Sequence, residues 1–537
     1  MLTTSFWPKD ERVPLVDLTV GGLLAVRATA QPDTPALIGT EHGTGASRRM
    51  SYGELYERAL RVASALATLT EPGESVALWA PNVIEWPVLQ YGAALAGVVL
   101  VAINPALRPA ELTYALTHSK AAVLVHADRS RDYDMAAVAA DIHGDCPALR
   151  AVISLSDTDR WEAVSVDSAL DRRTPTDSDA PVMLQYTSGT TGQPKGVLLR
   201  HRSLVNVAKL TLETVSVPFG ATAVNPLPMF HAAGCVVSTL GPLWVGGSVV
   251  LIEQFDPVGV LATLRREQAD VLFFVPTILG ALLAAQAASD EPAPRLHTIL
   301  GGASVVPPTM VEAAEQAFGA SVINVFGQTE LAPVLTSTRP DDPHHEHLHT
   351  VGRPLPQVDC AVLDPATGEV QPVGVPGEIC ARGYQQLICY LDDPEATAAA
   401  IDADGFVHTG DLGSMDAAGY ITLTGRLKEL IIRGGENISP AEIEACLLSH
   451  PEVADIAVIG VADERLGERV VAIVTPVSEP QPGLAERLTV HCRAHLAPHK
   501  TPSAWHRLDA LPRTPTGKVQ KFRLAELLAS DSAPGLF

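Results

Sequence analysis

Short apolar runs alternate with helical patterns through the first 330 residues, and this alternation constrains the fold more than any other feature of the chain. Ser51 to Leu69 carries apolar residues at helical spacing, and Ser75-Val-Ala-Leu-Trp79 then reads as a strand. Gly97–Ile103 and Ala122–His126 are further buried strands, followed by Ser248–Ile252, Val271–Val275, Thr298–Leu300 and Ser321–Val325. Pro307-Pro308 opens a helix between the last two, and Gly319 stands where its C-terminal stop belongs. Strands interleaved with helices predict layered α/β architecture.

Beyond residue 360 the texture changes to Gly-punctuated short strands, such as Gly377–Gly383 and Gly419–Gly425. After residue 427 comes a segment with its own alternation. Ser439-Pro440-Ala-Glu442 predicts a helix start, with Ser as N-cap, Pro at the first helical position and Glu completing a capping box. A strand at Ala454–Val461 follows. The expected organisation is a large N-terminal domain of several subdomains with layered sheets (1–426) and a small mobile α+β C-terminal domain (427–537), whose length of about 110 residues suffices for independent folding.

Composition sets the outer limits. Lys and Arg number 38 against 61 Asp and Glu, and the net charge of −23 argues against nucleic acid or an anionic membrane as the main partner. The seven cysteines are odd in number and form no C-x-x-C pair, so they read as neutral thiols rather than a disulfide framework or zinc site. No basic, apolar leader is visible at the N-terminus, and a cytoplasmic location is expected. Ala232 to Ile252 runs 21 residues without a charge, but Gly234, Gly241-Pro242 and Gly246-Gly247 break it into lengths suited to buried core rather than a membrane span. Lysine is scarce: Lys9, Lys120, Lys195, Lys209, Lys428, Lys500, Lys518 and Lys521 are all there are.

One of those lysines closes the strongest local signal. The apolar run Pro181–Gln185 empties into Tyr186-Thr187-Ser188-Gly189-Thr190-Thr191-Gly192-Gln193-Pro194-Lys195-Gly196. Glycines let backbone N–H groups converge on an anion, hydroxyls add donors, and Lys195 adds charge, so the string suits phosphate. It is not the G-x-x-x-x-G-K-[ST] loop, because no hydroxyl follows the lysine and no helix begins there.

The string resembles the phosphate loop of the adenylate-forming superfamily, which includes acyl-CoA synthetases, luciferases and adenylation domains. Four further motifs carry the resemblance in family order: Asn324-Val-Phe-Gly-Gln-Thr-Glu330, Phe406-Val-His-Thr-Gly-Asp411, Gly425-Arg426-Leu-Lys428 with the Gly434–Ile438 stretch after it, and Pro512-Arg-Thr-Pro-Thr-Gly-Lys518. The closest texture is that of bacterial fatty-acyl- and aryl-CoA ligases. The resemblance implies ATP, Mg²⁺ and CoA as reactants or cofactors and a small-molecule acid as substrate. It implies that Thr187, Ser188, Gly189, Thr190, Thr191, Gly192 and Lys195 hold the β- and γ-phosphates, and that Thr187 and Glu330 hold Mg²⁺. Gly302, Ala303, Phe326 and Gly327 would lie against adenine, with Phe in place of the Tyr common in relatives limited to packing. Asp411 would accept from the ribose hydroxyls and Arg426 would add a donor. Lys518, with Thr329 and Glu330, would serve the transfer itself, and Lys428 would be the hinge. His231, Val275, Gln328 and Ala332 would line the acid pocket.

Joining a carboxylate to the α-phosphate of ATP brings two anions together, which explains donors and cations at these positions. Cys389 replaces the Gly usual before the Tyr of this region, and Ser503-Ala504 replaces a basic residue usual after Lys500-Thr-Pro502. Both departures leave room for another second step, in which nitrite is activated for diazotisation of an aromatic amine or a carrier protein is loaded. The stretch His344-His-Glu-His-Leu-His349 invites a metal reading but is expected to be a solvated loop.

Overall fold

The apolar runs become strands within two residues of where the alternation places them, including Ser75–Trp79, Val99–Ile103, Val123–His126, Ser248–Leu251 and Val271–Phe274. The structure, a computed structural model, describes residues 1–167, 170, 173–187, 194–302, 306–433, 436–463, 465–479, 482–513 and 518–529, and strand counts are of these residues. Two compact units divide the chain, one of residues 8–360 and 381–407, the other of residues 1–7, 361–380 and 408–537.

The larger unit holds two large sheets and a two-stranded ribbon, Arg129–Ser130 with Tyr133–Asp134. A seven-stranded sheet runs Cys389–Tyr390, Lys195–Arg200, Pro181–Thr187, Val99–Ile103, Ser75–Trp79, Val123–His126, Ala151–Ser154. A nine-stranded sheet has the parallel centre Ser321–Phe326, Thr298–Gly302, Val271–Phe274, Thr222–Asn225, Ser248–Leu251 and Pro35–Thr40, with antiparallel strands at both edges. Parallel strands need helical crossovers, which the intervening amphipathic stretches provide. The helix Tyr52–Leu69 starts on a complete capping box between Ser51 and Glu54, and Pro308–Phe318 ends at Gly319 with φ of 65°, as the Pro and Gly punctuation predicts. The uncharged stretch from Ala232 breaks into the π-helical turn Ala233–Val237, the helix Ser238–Trp244 and the strand Ser248–Leu251. Among the described residues, no helix is long and apolar enough to cross a membrane.

In the smaller unit, the strands Ile431–Arg433, Glu436–Ile438, Val453–Asp463, Gly467–Pro476 and Ala504–Arg507 form one sheet. Ile443, Leu447, Leu484, Leu488 and Cys492 from the helices Pro440–Leu448 and Leu484–His495 close one of its faces. A second sheet, most of whose residues belong to this unit, runs Phe6–Trp7, Val358–Leu363, Gly377–Gly383, Val407–Met415, Ile421–Arg426.

Two sequence expectations fail here. Ser439 is the N-cap of Pro440–Leu448, but its hydroxyl donates to the carbonyl of Thr424 instead of capping, and Glu442 pairs with Lys500 at 2.6 Å. Both members of the expected capping box have stronger tertiary partners. The His344–His349 stretch is a short helix rather than a solvated loop, because His347 is buried with Nε2 2.5 Å from the carbonyl oxygen of Val322.

Candidate active site

Four expected pocket or nucleotide positions sit just past the C-terminal ends of adjacent parallel strands of the nine-stranded sheet. Thr222–Asn225 leads to His231, Val271–Phe274 to Val275, Thr298–Gly302 ends on Gly302, and Ser321–Phe326 ends on Phe326. Open α/β sheets bind ligands outside these ends, where turns bring side chains from separated segments together. The Phe230 and His231 rings lie 4.3 Å apart at their centroids, and Val275 is the N-cap of the helix Pro276–Ala287. Gln328, extended at φ −150°, introduces the 3₁₀ turn Thr329–Leu331, which ends on Ala332 in the left-handed region at φ 59°.

The glycines here have a reason that adenine contact does not supply. A Cβ on Gly302 would stand 2.2 Å from the Val325 carbonyl oxygen, and one on Gly327 would stand 2.1 Å from that of Pro333. Packing of the chain against its own backbone therefore enforces both, whatever binds beside them.

At the edge of the seven-stranded sheet, Thr187 ends one strand and Lys195 begins its antiparallel neighbour, the two being direct cross-strand partners. That register brings both ends of the phosphate string to one place. Ser188, Gly189, Thr190, Thr191 and Gly192, expected to hold phosphate, and Ala303 lie outside the described residues. The strand that begins at Lys195 runs to Arg200 before the helix His201–Thr214, consistent with the absence of a helix after the lysine. Its other neighbour, Cys389–Tyr390, is zipped on by Leu391 N–H donating to Gly196 O at 2.8 Å. Cys389 sits there opposite Leu198 in ordinary strand pairing, so the position tolerates a side chain.

This pairing introduces a residue that motif reading missed. The Tyr390 hydroxyl donates to Glu330 Oε1 at 2.8 Å, while Lys195 Nζ lies 4.7 Å from the centre of the same ring. One side chain thus joins the lysine expected to meet phosphate to the carboxylate expected to hold metal. Burial, reinforced by the Glu330 carboxylate, pushes the Tyr390 phenol well above its usual range, so it remains a donor at neutral pH. Thr187 and Glu330 offer a hydroxyl and a carboxylate oxygen, hard donors of the kind Mg²⁺ takes, and the donor set fits that ion.

In the smaller unit, Asp411 lies on Val407–Met415 and Arg426 ends Ile421–Arg426, and the two are paired in the ladder. Arg426 Nε stands 2.7 Å from Asp411 Oδ1. The other oxygen, Oδ2, is buried and has no hydrogen-bond partner among the described residues. Burial raises the Asp411 carboxyl above its ordinary range, against the lowering influence of Arg426 and then Lys518. A buried, unsatisfied acceptor costs stability unless a ligand donates to it. The orphan oxygen therefore fits a ligand hydroxyl such as that of ribose. Lys518 is itself exposed, and Lys428 lies in the 3₁₀ turn Leu427–Glu429.

A second unforeseen residue shapes the turn before Asp411. Glu378 is buried, with Oε2 2.8 Å from His408 Nδ1 and Oε1 accepting from the Gly410 N–H at 2.9 Å. Thr409 Oγ1 donates to the Ile379 carbonyl at 2.6 Å and accepts from the Asp411 N–H at 3.1 Å. Glu378, His408 and Cys380 cluster closely enough to suggest a metal site. The His408–Glu378 separation is a hydrogen bond, however, and both carboxylate oxygens are engaged, so the group acts as a clamp. Neither Tyr390 nor Glu378 is legible in spacing, since each acts 60 or about 30 residues away.

Comparisons with known proteins establish the family. The sequence profile described as AMP-binding enzyme matches residues 24–391, and that described as AMP-binding enzyme C-terminal domain matches residues 442–518. The chain is 35% identical to a (methyl-dioxo-octahydro-indenyl)propanoyl:CoA ligase of Mycobacterium tuberculosis, over 92% of this chain and 96% of that protein. It is 30% identical to the mitochondrial medium-chain acyl-CoA ligase ACSF2 of Rattus norvegicus, over 95% and 88%. The crystal structure of ATP-bound MatB from Rhodopseudomonas palustris is similar with a TM-score of 0.83 and 29% identity, covering 96% of this chain and all of that one.

Proposed function

The chain belongs to the AMP-binding enzyme family, and on that premise we propose that it is an acid–CoA ligase acting on an apolar carboxylic acid. In the first step a carboxylate oxygen attacks the α-phosphorus of ATP and the bond to pyrophosphate breaks. In the second, the CoA thiol attacks the acyl carbon, and AMP leaves with the bonding pair. The observation that carries the nucleotide half is the buried Oδ2 of Asp411, without a hydrogen-bond partner among the described residues, beside its Arg426 pair. An ionised carboxylate with one oxygen neutralised by Arg426 keeps the other as an acceptor for ribose hydroxyls.

Each remaining residue has a task set by charge. Thr187 and Lys195 would meet the β- and γ-phosphates, with Lys195 as the cation. Glu330 and Thr187 would hold Mg²⁺, which when bound neutralises phosphate charge. Tyr390 would keep the Glu330 carboxylate aimed, leaving its second oxygen for the ion. Lys518 would lie on the carboxylate and α-phosphate oxygens where negative charge grows, with Thr329 beside Glu330. Lys428 would be the hinge at the start of the C-terminal domain, here taken as residues 427–537.

The apolar substrate class is supported by the printed activities of the relatives, fused-ring propanoyl and medium-chain acyl transfer to CoA. It is supported too by the helix Pro276–Ala287 that follows Val275, which carries Thr277 and Gln286 as its polar side chains and no charged residue. The test is pyrophosphate release across short, medium and long fatty acids, aryl acids and fused-ring propanoates, each with and without CoA. Nitrite with an aryl amine and a carrier protein with its thiol arm are the remaining arms. Medium-chain or fused-ring acids are expected to release pyrophosphate, and thioester is expected with CoA. Pyrophosphate release without thioester, or activity with nitrite alone, would overturn the assignment.

A further inference from the structure

The smaller unit contains a side-chain cluster that the adenylation chemistry does not use. Cys446 near the end of the helix Pro440–Leu448, and His491 and His495 on the helix Leu484–His495, each bring one ligand atom to the same cluster, all within 4.8 Å of one another. His491 and His495 are one helical turn apart and share a face, which is how two imidazoles on one helix reach the same ion.

The outer contacts also match a metal centre. His495 Nδ1 lies 2.8 Å from the His491 carbonyl oxygen and His491 Nε2 lies 3.0 Å from that of Cys446, so each ring donates one N–H to a carbonyl. A carbonyl accepts only from N–H, and this fixes the tautomer and leaves His495 Nε2 and His491 Nδ1 as lone-pair nitrogens. Ser449 Oγ, at 3.0 Å, steadies His491 Nε2 further. The buried Cys492 thiol interacts with Cys446, a neighbour for a sulfur ligand. Cys446 is half-buried and His495 exposed, so the cluster opens to solvent on one side.

We propose that Cys446, His491 and His495 form a site for a borderline-soft divalent cation of the zinc type, with one coordination position left to solvent. Tetrahedral zinc sets ligand atoms about 3.5 Å apart. The observed separations, up to 4.8 Å, are wider than that spacing, so ion binding would draw the three side chains closer together. Sequence spacing alone argued against zinc because it lacks C-x-x-C. The ligands come instead from two helices, 45 residues apart, brought together by the packing of Ile443 and Leu447 against Leu484 and Leu488.

Cobalt(II) serves as the probe, titrated into the full-length, reduced protein. The expected result is one equivalent bound with a thiolate-to-cobalt charge-transfer band and the strong visible absorption of tetrahedral coordination, both displaced by Zn²⁺. Cys446→Ser should abolish the charge-transfer band. His495→Ala, an exposed replacement that circular dichroism should show to be folded, should weaken binding by at least the roughly 10- to 100-fold that loss of an outer partner costs. A doubly substituted His345→Ala, His349→Ala control should bind as the parent does. Absence of a thiolate band, its persistence in Cys446→Ser, unchanged affinity in His495→Ala, or its loss in the control would each overturn the site.

Discussion

Asp411 and Glu330 are both expected to serve the nucleotide, yet their surroundings differ in kind. Asp411 is buried, its turn pinned by Glu378 and Thr409, one oxygen held by Arg426 and the other left orphaned. Glu330 is half-buried, on a 3₁₀ turn, and steadied by one neutral hydroxyl. On the proposed roles, the difference teaches that a ribose contact at Asp411 would be preformed at a cost in folding stability, which the ligand would relieve. A metal contact at Glu330 would only be aimed, and the ion would complete it.

Lys518→Ala should show the largest effect, because Lys518 acts on Asp411 electrostatically as well as being the proposed transfer lysine. Single-turnover adenylation should slow by about 10²–10³ with little change in ATP affinity. A rise in KM for ATP with unchanged kcat would instead assign Lys518 to Asp411 alone.

Asp411→Asn is expected to weaken ATP by roughly 10- to 100-fold, the range for losing charged hydrogen bonds. The same variant should melt at a higher temperature than the parent without nucleotide, since it removes a buried charge. A variant that lost both affinity and stability would break the contrast drawn above. The sign with pH follows from the raised carboxyl. Protonation relieves its burial, so its destabilising influence on the apo fold fades as pH falls through that raised value, while ATP affinity falls over the same window. Affinity that stayed flat down to the ordinary aspartate range would refute the linkage.

Glu378→Ala removes the acceptor of the Gly410 N–H and the carboxylate beside the His408 ring together, and an increase of about tenfold in KM for ATP is expected from the lost turn geometry. Glu378→Gln, which keeps one acceptor, should recover part of it. Equal effects from both would indicate that charge rather than positioning matters. Tyr390→Phe should be milder, about three- to tenfold, and visible mainly as a higher Mg²⁺ requirement. An effect on ATP affinity at saturating Mg²⁺ would move Tyr390 from the metal side to the phosphate side through Lys195. Lys428→Pro tests the proposed hinge by ratio, with thioester formation slowed severalfold more than adenylation.

Much of this was legible without a structure. Strand and helix placement followed from apolar periodicity and from Pro and Gly punctuation, as at Pro308–Phe318, because those signals are local. The motifs identified the residue types that charge neutralisation requires. The failures occurred where a local rule met a better distant partner. Ser439 and Glu442 satisfy the capping-box pattern, but Thr424 and Lys500 claim them. His347 belongs to a polar run, yet Val322 offers it a buried acceptor.

What the sequence determined by itself is the order of secondary structure and the chemical inventory: which lysines, carboxylates and hydroxyls exist and in what local company. Tertiary structure alone decided which of them act together. Tyr390 reaches Glu330 because a short strand pairs beside Lys195, Glu378 reaches Gly410 across a sheet, and Cys446 meets His491 between two packed helices. Hydrogen bonds and ligand geometry are satisfied within a few ångströms of space, and sheet register and helix packing set those distances without regard to separation along the chain.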